Sequence, residues 1–169
     1  MVAGRRFNWT EAADIGIASE VALPEGLETF PFRDDRLILV VPRRDPLSGS
    51  RQTRLSDIVD RNFVGLPRES ALQRHIAGHA ARLGTPLKVR ARVTGFDAVC
   101  RMVESGVGVA IVPDAAARRC RRVMKIDVVS LRDAWARRRL AICVRRLQAL
   151  PVGARRLVEH LRGAEKARR

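Results

Sequence analysis

The 169-residue sequence is poor in several residue types, and each shortage argues against a class of protein. It has no tyrosine, and aromatic residues make up only 4% of it, so it is poor in the rings on which single-strand nucleic-acid binders stack bases. Its three cysteines are widely spaced, unlike those of a zinc knuckle or a disulfide framework. We therefore expect reduced, buried thiols.

Long apolar runs and a cleavable leader are also absent from the sequence. No stretch of about 18 apolar residues occurs, so no membrane span is predicted. The opening residues, MVAGRRFNWTEAADIG, contain two arginines but no apolar stretch with a small-residue cleavage site, so no secretory signal is predicted. The sequence thus predicts a cytoplasmic protein that makes no membrane contact.

Charge, by contrast, is abundant, and basic residues outnumber acidic ones 33 to 18. The formal net charge is +15, and the only lysines are Lys88, Lys125 and Lys166. This balance raises the hypothesis of a nonspecific nucleic-acid binder whose affinity falls steeply with salt. The arginines are scattered, however, and the dense groups at 118–122 and 137–139 lack interleaved aromatic residues. We expect a solvated arginine-rich surface, with nucleic-acid binding as an alternative.

The segment from Val89 to Pro113 predicts a strand, a helix and a second strand. Apolar residues alternate with arginine as far as Val93, as in a half-buried strand. Thr94 and Asp97 form a capping-box pattern ahead of apolar residues at helical spacing. Two glycines end that helix before an apolar run typical of a strand buried on both faces. Such a βαβ unit directs a helix N-terminus at the carboxyl edge of a parallel sheet, where open α/β folds bind ligands.

A second strand and helix precede this unit. Residues 63–66 predict a strand, and Ser70 with Gln73 forms another capping box, which opens a helix that ends at Gly84. The two helix N-termini should lie side by side, where backbone N–H groups and helix dipoles favour an anion. The polar groups expected at this edge are Ser70, Thr94 and the backbone of Gly95 and Phe96, with Ser19 beyond the first strand. Each of them also fits a simple capping or turn role.

The remaining elements are predicted more coarsely. Strands are expected at 14–18, 27–32 and 36–42, ahead of a polar break at 43–54. After Pro113 we expect a short helix and strands at 123–131 and 139–145. A final helix should end at Gly163.

Patterns that would indicate catalysis or a metal are weak. His75 and His79 lie four residues apart on a predicted helix, but no glutamate or third ligand accompanies them. The G-x-G at 106–108 follows a helix rather than a strand, so it does not fit a dinucleotide site. Asp97 and Glu104 fit helix-face charges better than an acid–base pair. We predict no metal, no cofactor and no enzymatic activity.

Five stretches, taken in order, resemble the effector-binding domain of LysR-type transcriptional regulators. They are ADIGIASE (13–20), LETFPFRDDRLILVVPRRDPLS (27–48), FVGLPRESAL (63–72), VTGFDAVCRMVESGVGVAIVP (93–113) and DAWARRRLAICVRR (133–146). The resemblance implies an α/β, periplasmic-binding-protein-like (type 2) two-lobed fold with parallel-rich sheets. It places residues 1–43 and 139–169 in the first lobe and residues 44–138 in the second, with a small-molecule inducer between them.

The resemblance also implies the residues that face the inducer. They are Ser19, Arg68, Ser70, Thr94, Gly95 and Phe96, with Val112 and Pro113 lining the wall of the cleft. Paired helix N-termini and nearby Arg43, Arg68 and Arg90 favour a carboxylate or a similar anion. Such a regulator is expected to be a homo-oligomer, a dimer or a tetramer. The alternative is a solute-binding protein of a transport system with the same fold.

The sequence departs from this family at its beginning. Family members start with a winged helix-turn-helix, a linker helix and a further strand, helix and strand, and nothing before Ala13 corresponds to them. The resemblance therefore implies a truncated chain with an incomplete first lobe, which contacts DNA only through a winged helix absent here. Missing strands should expose apolar faces around Ile15, Ile17 and residues 37–41, which predicts association or poor solubility.

Overall fold

The computed structural model describes residues 13–20, 23 and 25–166, so most of the opening stretch in which no secretory signal is predicted lies outside these residues. Its elements, in chain order, are β1 (Ile15–Ser19), β2 (Glu28–Pro42), β3 (Gln52–Thr53), β4 (Asn62–Gly65), α1 (Ala71–Arg82), β5 (Lys88–Arg92), α2 (Phe96–Glu104), β6 (Ala110–Pro113), α3 (Asp114–Arg121), β7 (Ile126–Leu131), β8 (Arg137–Val144) and α4 (Val152–Lys166). No helix in this part of the chain is long and apolar enough to cross a membrane.

Contacts divide the chain into two compact units. Unit 1 comprises residues 1–35 and 138–169, and unit 2 comprises residues 36–137. A division by contacts does not test the lobe boundaries inferred from sequence, which remain a prediction.

Unit 1 is a small sheet covered by one helix. β8 lies between β1 and the first part of β2, and β1 runs antiparallel to it in a register that joins Ile15 to Val144. The interior is formed by Ile142, Val144 and Val158, against which Phe30 packs. Alternate residues of β8 thus face α4, as the period of a strand requires.

Two ion pairs in unit 1 differ in burial. Asp35 and Arg138 bind each other on β2 and β8 with side chains 11% exposed, whereas Arg139, 75% exposed, binds Glu20 at 3.1 Å. The pair of Asp35 and Arg138 explains why β2 is one 15-residue strand, although the sequence predicted two segments at 27–32 and 36–42. Asp35 occupies a strand position with its charge compensated, so the polar stretch does not interrupt the strand.

Unit 2 contains the strands that organise the candidate site. β2 pairs antiparallel with β6 and with β7, and β3 runs parallel to β7. β4 runs parallel to β5, and a parallel bridge joins Phe63 of β4 to Val109, directly before β6. β4, β5 and β6 therefore run in one direction, and their carboxyl ends share one edge.

Both faces of this sheet are covered, as the apolar run of β2 predicts. Leu37, Leu39 and Val41 pack in one interior cluster with residues of α1. Ile38 and Val40 pack in the other with residues of α2 and α3. Residues 37–41 are only 0–3% exposed, so the expectation that they form a bared apolar face is wrong. They are buried because unit 2 alone supplies helices for both faces.

Of two helix ends predicted from the sequence, that of α4 is wrong and that of α1 is confirmed. α4 continues through Gly163 to Lys166, since an exposed glycine costs a helix only about 1 kcal/mol. α1 ends as predicted, with Gly84 in the left-handed conformation at φ +76° directly after its C-cap.

Candidate functional site

The carboxyl ends of β4 and β5 are joined by direct hydrogen bonds. Gly65 pairs with Arg92 in the parallel register, and the Val93 N–H donates to the Gly65 carbonyl at 3.0 Å. The Arg92 guanidinium donates to the Leu66 carbonyl, also at 3.0 Å. The loops that leave the two strands therefore start side by side.

A helix follows each of the three parallel strands after this edge. β4 leads into α1, β5 into α2 and β6 into α3. Because parallel strands deliver their following helices to the same edge, three helix N-termini open here. Unpaired N–H groups and the positive ends of helix dipoles make such an edge suited to a negatively charged group.

The loop before α1 is fixed by a glutamine from the first turn of that helix. Gln73 is 6% exposed, and its Oε1 accepts a hydrogen bond from the Leu66 N–H at 3.1 Å. Gly65 leaves room for it, because a Cβ there would lie 2.5 Å from Oε1. Ser70 is the N-cap residue, but its side chain makes no capping bond. The predicted capping box is therefore wrong: Gln73 reaches back to the strand end instead.

The N-terminus of α2 is capped differently from the prediction. The N-cap residue is Gly95 at φ +86°, one position after Thr94, and no side chain caps the helix. Thr94 and Gly95 are exposed, and Phe96 is half-buried against an interior cluster. Asp97 turns away to α3, so the predicted box with Thr94 is wrong.

Asp97 forms a polar contact between α2 and α3. Its carboxylate accepts hydrogen bonds from Arg119 at 3.0 Å and from the Cys120 thiol at 3.1 Å. These two bonds hold the pKa of Asp97 below its ordinary value. Asp97 is thus occupied in helix packing.

The N-terminus of α3 starts directly at the end of β6. Pro113 is its N-cap residue and Asp114 its first residue, ion-paired with Arg118 at 2.8 Å. Val112 is 1% exposed inside an interior cluster, and Pro113 is half-buried. The side chain of Val112 is therefore enclosed, and a ligand at this edge would meet its backbone at most.

Electrostatics distinguish α1 from its two neighbours. α2 and α3 carry Asp97 and Asp114 in their first turns, whereas α1 carries no acidic residue there. The exposed Arg68 precedes it in the same loop, next to the exposed Glu69. The N-terminus of α1 is therefore the one whose dipole no acidic residue of its first turn offsets.

The dense arginines of α3 are largely paired inside unit 2. Arg118 binds Asp114, Arg119 binds Asp97 and Arg121 binds Asp127. These ion pairs argue against a nucleic-acid surface on this helix, because a cation already paired with a carboxylate must give up that pair to neutralise a phosphate.

Ser19 lies in unit 1, at the end of β1. It is half-buried, and its Oγ is enclosed without a hydrogen-bond partner among the described residues. Buried hydroxyls are normally bonded, so this group has unused bonding capacity.

A cavity of about 310 Å³ lies elsewhere in unit 2. It is lined by Pro42, Asp45, Asp60, Arg61, Asn62 and Gly106–Gly108, at the amino ends of β4 and β6. Asp45 and Arg61 bind each other there, and the cavity lies at the opposite ends of the strands from the candidate site.

His75 and His79 pack with an aromatic ring instead of forming a metal pair. The His79 ring stacks on Trp135 at 4.5 Å between centroids, and His75 meets both rings edge-on. Burial, followed by the nearby charges of His75 and Arg82, lowers the pKa of His79. In the part of the chain that the structure describes, no group of three or more histidine, cysteine or carboxylate side chains is placed to hold a metal.

All three cysteines are free thiols and buried, as expected. Burial, together with a hydrogen bond to Cys120, raises the pKa of Cys100 to about 12. Such a thiol is a poor nucleophile.

Sequence reasoning missed two residues that shape this edge, Gln73 and Arg92. Both act on the carbonyl or amide of Leu66. Gln73 fits a capping box and Arg92 fits a solvated strand face, so local patterns gave no sign of either contact.

The family model described as LysR substrate binding domain matches residues 10–166 of this chain. The probable RuBisCO transcriptional regulator of Cyanophora paradoxa is 26% identical over 121 residues, which cover 66% of this chain and 37% of that protein. Its counterpart from Emiliania huxleyi is 23% identical over 159 residues, which cover 88% of this chain and 51% of that protein. The chain thus spans about half or less of the length of these two curated relatives.

Solved structures show the same fold. The Synechocystis PCC6803 CcmR regulatory domain in complex with 2-PG matches with a TM-score of 0.78 and 19% identity, covering 90% of this chain and 74% of that one. The effector binding domain of QuiR in complex with shikimate matches with a TM-score of 0.72 and 19% identity, covering 88% and 69%. These matches confirm the predicted α/β fold of the type 2 periplasmic-binding-protein class.

Proposed function

Because this chain belongs to the LysR substrate-binding domain family, we propose that it senses a small anionic effector as part of a LysR-type transcriptional regulator. Effector binding would change the arrangement of subunits and so control transcription. The observation that carries the anionic part of the proposal is the edge where α1, α2 and α3 all begin.

The chemistry of this edge favours an oxyanion bound at α1. Backbone N–H groups in the first turn of α1 have no intrahelical acceptors, and the Ser70 hydroxyl makes no cap bond. A carboxylate accepting from these groups and from Arg68 would gain charge-assisted hydrogen bonds. Exposed Thr94 and the Gly95 backbone begin the neighbouring loop and could bind a second polar group of the same effector.

The proposed set of effector-facing residues in unit 2 keeps all the positions of that unit that were named from sequence. Arg68, Ser70, Thr94, Gly95 and Phe96 supply side chains or backbone in unit 2. Val112 would contribute only backbone and Pro113 its half-buried ring. Ser19, in unit 1, stays a prediction from the sequence; its buried hydroxyl lacks a partner among the described residues. CcmR and QuiR, which share the fold, are described in complex with the small molecules 2-PG and shikimate respectively.

The matched family and its relatives are transcriptional regulators, so the chain is not an enzyme. The same finding decides against the solute-binding alternative. We include in the proposal a homo-oligomeric regulator in the cytoplasm, whose contact with DNA would be made by a winged helix-turn-helix.

Calorimetric titration of the purified chain with a panel of small carboxylic acids and phosphate esters tests the proposal. We expect at least one anion to bind and to lose about tenfold or more in affinity on Ser70→Ala combined with Thr94→Val, since two charge-assisted hydrogen bonds are removed. Thr85→Val, just beyond the opposite end of α1, is the matched control and should bind normally. Unchanged affinity in the double variant would remove the site assignment.

A further inference from the structure

The loop between β4 and α1 leaves its strand through two peptide groups that are held in different ways. In the first group, between Gly65 and Leu66, the carbonyl accepts a hydrogen bond from the Val93 N–H at 3.0 Å. The N–H of the same group donates to Gln73 Oε1 at 3.1 Å. Both of its polar atoms are therefore bonded within unit 2, and its plane is fixed by β5 and α1.

The second peptide group, between Leu66 and Pro67, can be held through one atom only. Proline has no N–H, so this group offers the Leu66 carbonyl alone. The Arg92 guanidinium donates to that carbonyl at 3.0 Å. Within the described part of the chain, this is the hydrogen bond that fixes the plane of the second group.

A tight turn follows these two peptide groups. The Ser70 N–H donates to the Pro67 carbonyl at 3.0 Å, which closes a four-residue turn with Arg68 and Glu69 at its centre. The Ser70 carbonyl then accepts the Arg74 N–H at 3.0 Å, where α1 begins. Since these bonds hold the turn together, the orientation of the peptide group before it decides where the whole turn points.

Arg92 also belongs to the strand that leads into the neighbouring loop of the candidate site. It is the last residue of β5, it lies two positions before Thr94, and its backbone pairs with Gly65 at the end of β4. Its side chain is exposed, and no carboxylate of the described residues forms an ion pair with it. No competing ion pair therefore draws the guanidinium away from Leu66.

Resting on the effector site proposed above, we propose that Arg92 is a positioning residue for effector binding. Through the Leu66 carbonyl, it fixes the turn that presents Arg68 and Ser70 to the effector, and it does not itself touch the effector. A turn that is already in place loses less conformational freedom when a ligand binds, so the affinity is higher without any added contact.

Hydrogen exchange on the full chain without ligand tests the first step. Arg92→Met removes the guanidinium donors and keeps an apolar side chain, so the turn opens more often and exchange at the Ser70 amide should become about threefold faster or more. Lys88→Met is the matched control, because Lys88 is exposed at the other end of β5 and loses the same charge. It should leave the Ser70 exchange rate unchanged. Urea midpoints close to that of the unmodified chain show that both variants are folded.

Calorimetric titration with the tightest-binding anion tests the second step. Arg92→Met should weaken binding about fivefold to tenfold, and Lys88→Met by less than about twofold. Arg92→Lys keeps the charge and restores a donor for the Leu66 carbonyl, so it should bind within about threefold of the unmodified chain. The loss in Arg92→Met should persist at about 1 M salt, where the Debye length is about 3 Å and a distant charge is screened.

The outcomes separate this inference from the proposed function. If the unmodified chain binds no anion, the proposed function fails, and the inference fails with it. If the unmodified chain binds an anion and Arg92→Met binds it equally well, the inference alone is overturned. An unchanged Ser70 exchange rate, or a loss of affinity that disappears at high salt, overturns it as well, because Arg92 would then act as a distant charge and not through the turn.

Discussion

The hydrogen bond from the Leu66 N–H to Gln73 should stabilise the loop that carries Arg68 and Ser70, and a double-mutant cycle with Gly65 can measure it. Gln73→Ala removes the acceptor at 3.1 Å and leaves a partly buried N–H without a partner. Such a loss costs about 1–3 kcal/mol in free energy of unfolding.

Gly65→Ala should cost a similar amount by a different route. The new Cβ would lie 2.5 Å from Gln73 Oε1, and all three of its nearest atoms belong to Gln73. The glutamine must therefore move by most of an ångström, which breaks the same hydrogen bond and costs about 1–3 kcal/mol. In the Gln73→Ala background nothing remains to clash, so Gly65→Ala should then be nearly neutral.

Urea denaturation of the two single variants and the double variant gives the coupling free energy. We expect the double variant to be more stable than the sum of the single changes predicts, by about 1–3 kcal/mol. Exposed Gln52 supplies the control, since Gln52→Ala should change stability by less than about 0.5 kcal/mol. Additive costs at Gly65 and Gln73 would refute the reasoning, because they would mean that the two residues do not share one interaction.

Three further predictions concern other parts of the chain. Burial and nearby cations lower the pKa of His79 from 6.5, so the unfolded chain binds this proton more tightly than the folded chain does. The free energy of unfolding should therefore fall as the pH drops below about 6.5. His79→Gln should make the urea midpoint vary less with pH across that range, whereas the same change at the exposed histidine of α4 is the control and should not. Asp35→Asn leaves Arg138 buried without its partner and should cost about 3–5 kcal/mol in thermal or chemical denaturation, whereas Glu20→Gln, at an exposed pair, should cost less than about 1 kcal/mol. Cys100 should react with a thiol reagent at about pH 8 only after unfolding, because burial raises its pKa to about 12; rapid labelling of the native chain would contradict this.

Patterns of burial could be predicted from the sequence. The apolar run in β2 indicated a strand covered on both faces, and its residues pack alternately into two clusters. The βαβ unit was also recognisable, because the periods of strands and helices and the glycines between them are local properties. Gly84 was placed correctly after α1 for the same reason.

Side-chain partners across elements could not be predicted. Ser70 and Gln73 have the spacing of a capping box, yet Gln73 contacts the end of β4. Asp97 has the right offset from Thr94, yet it binds Arg119 on α3. In each case a partner far away in the sequence competes with the local one. The spacing of residues along one sequence does not show which of the two partners the side chain will bind.

The continuous β2 strand has the same explanation. Charged residues in its middle suggested a break, but Asp35 is compensated by Arg138, which lies 103 residues away in sequence. The edge of unit 2 where three helices begin was foreseen for α1 and α2 only, since the parallel direction of β6 depends on the bridge between Phe63 and Val109.

Amide chemical-shift mapping during titration with the tightest-binding anion is the most direct test of the effector site. The account predicts the largest shifts at Ser70 and the first turn of α1, with smaller shifts at Thr94 to Phe96. Largest shifts at the amino ends of β4 and β6, around the cavity that Arg61 and Gly106 line, would contradict it.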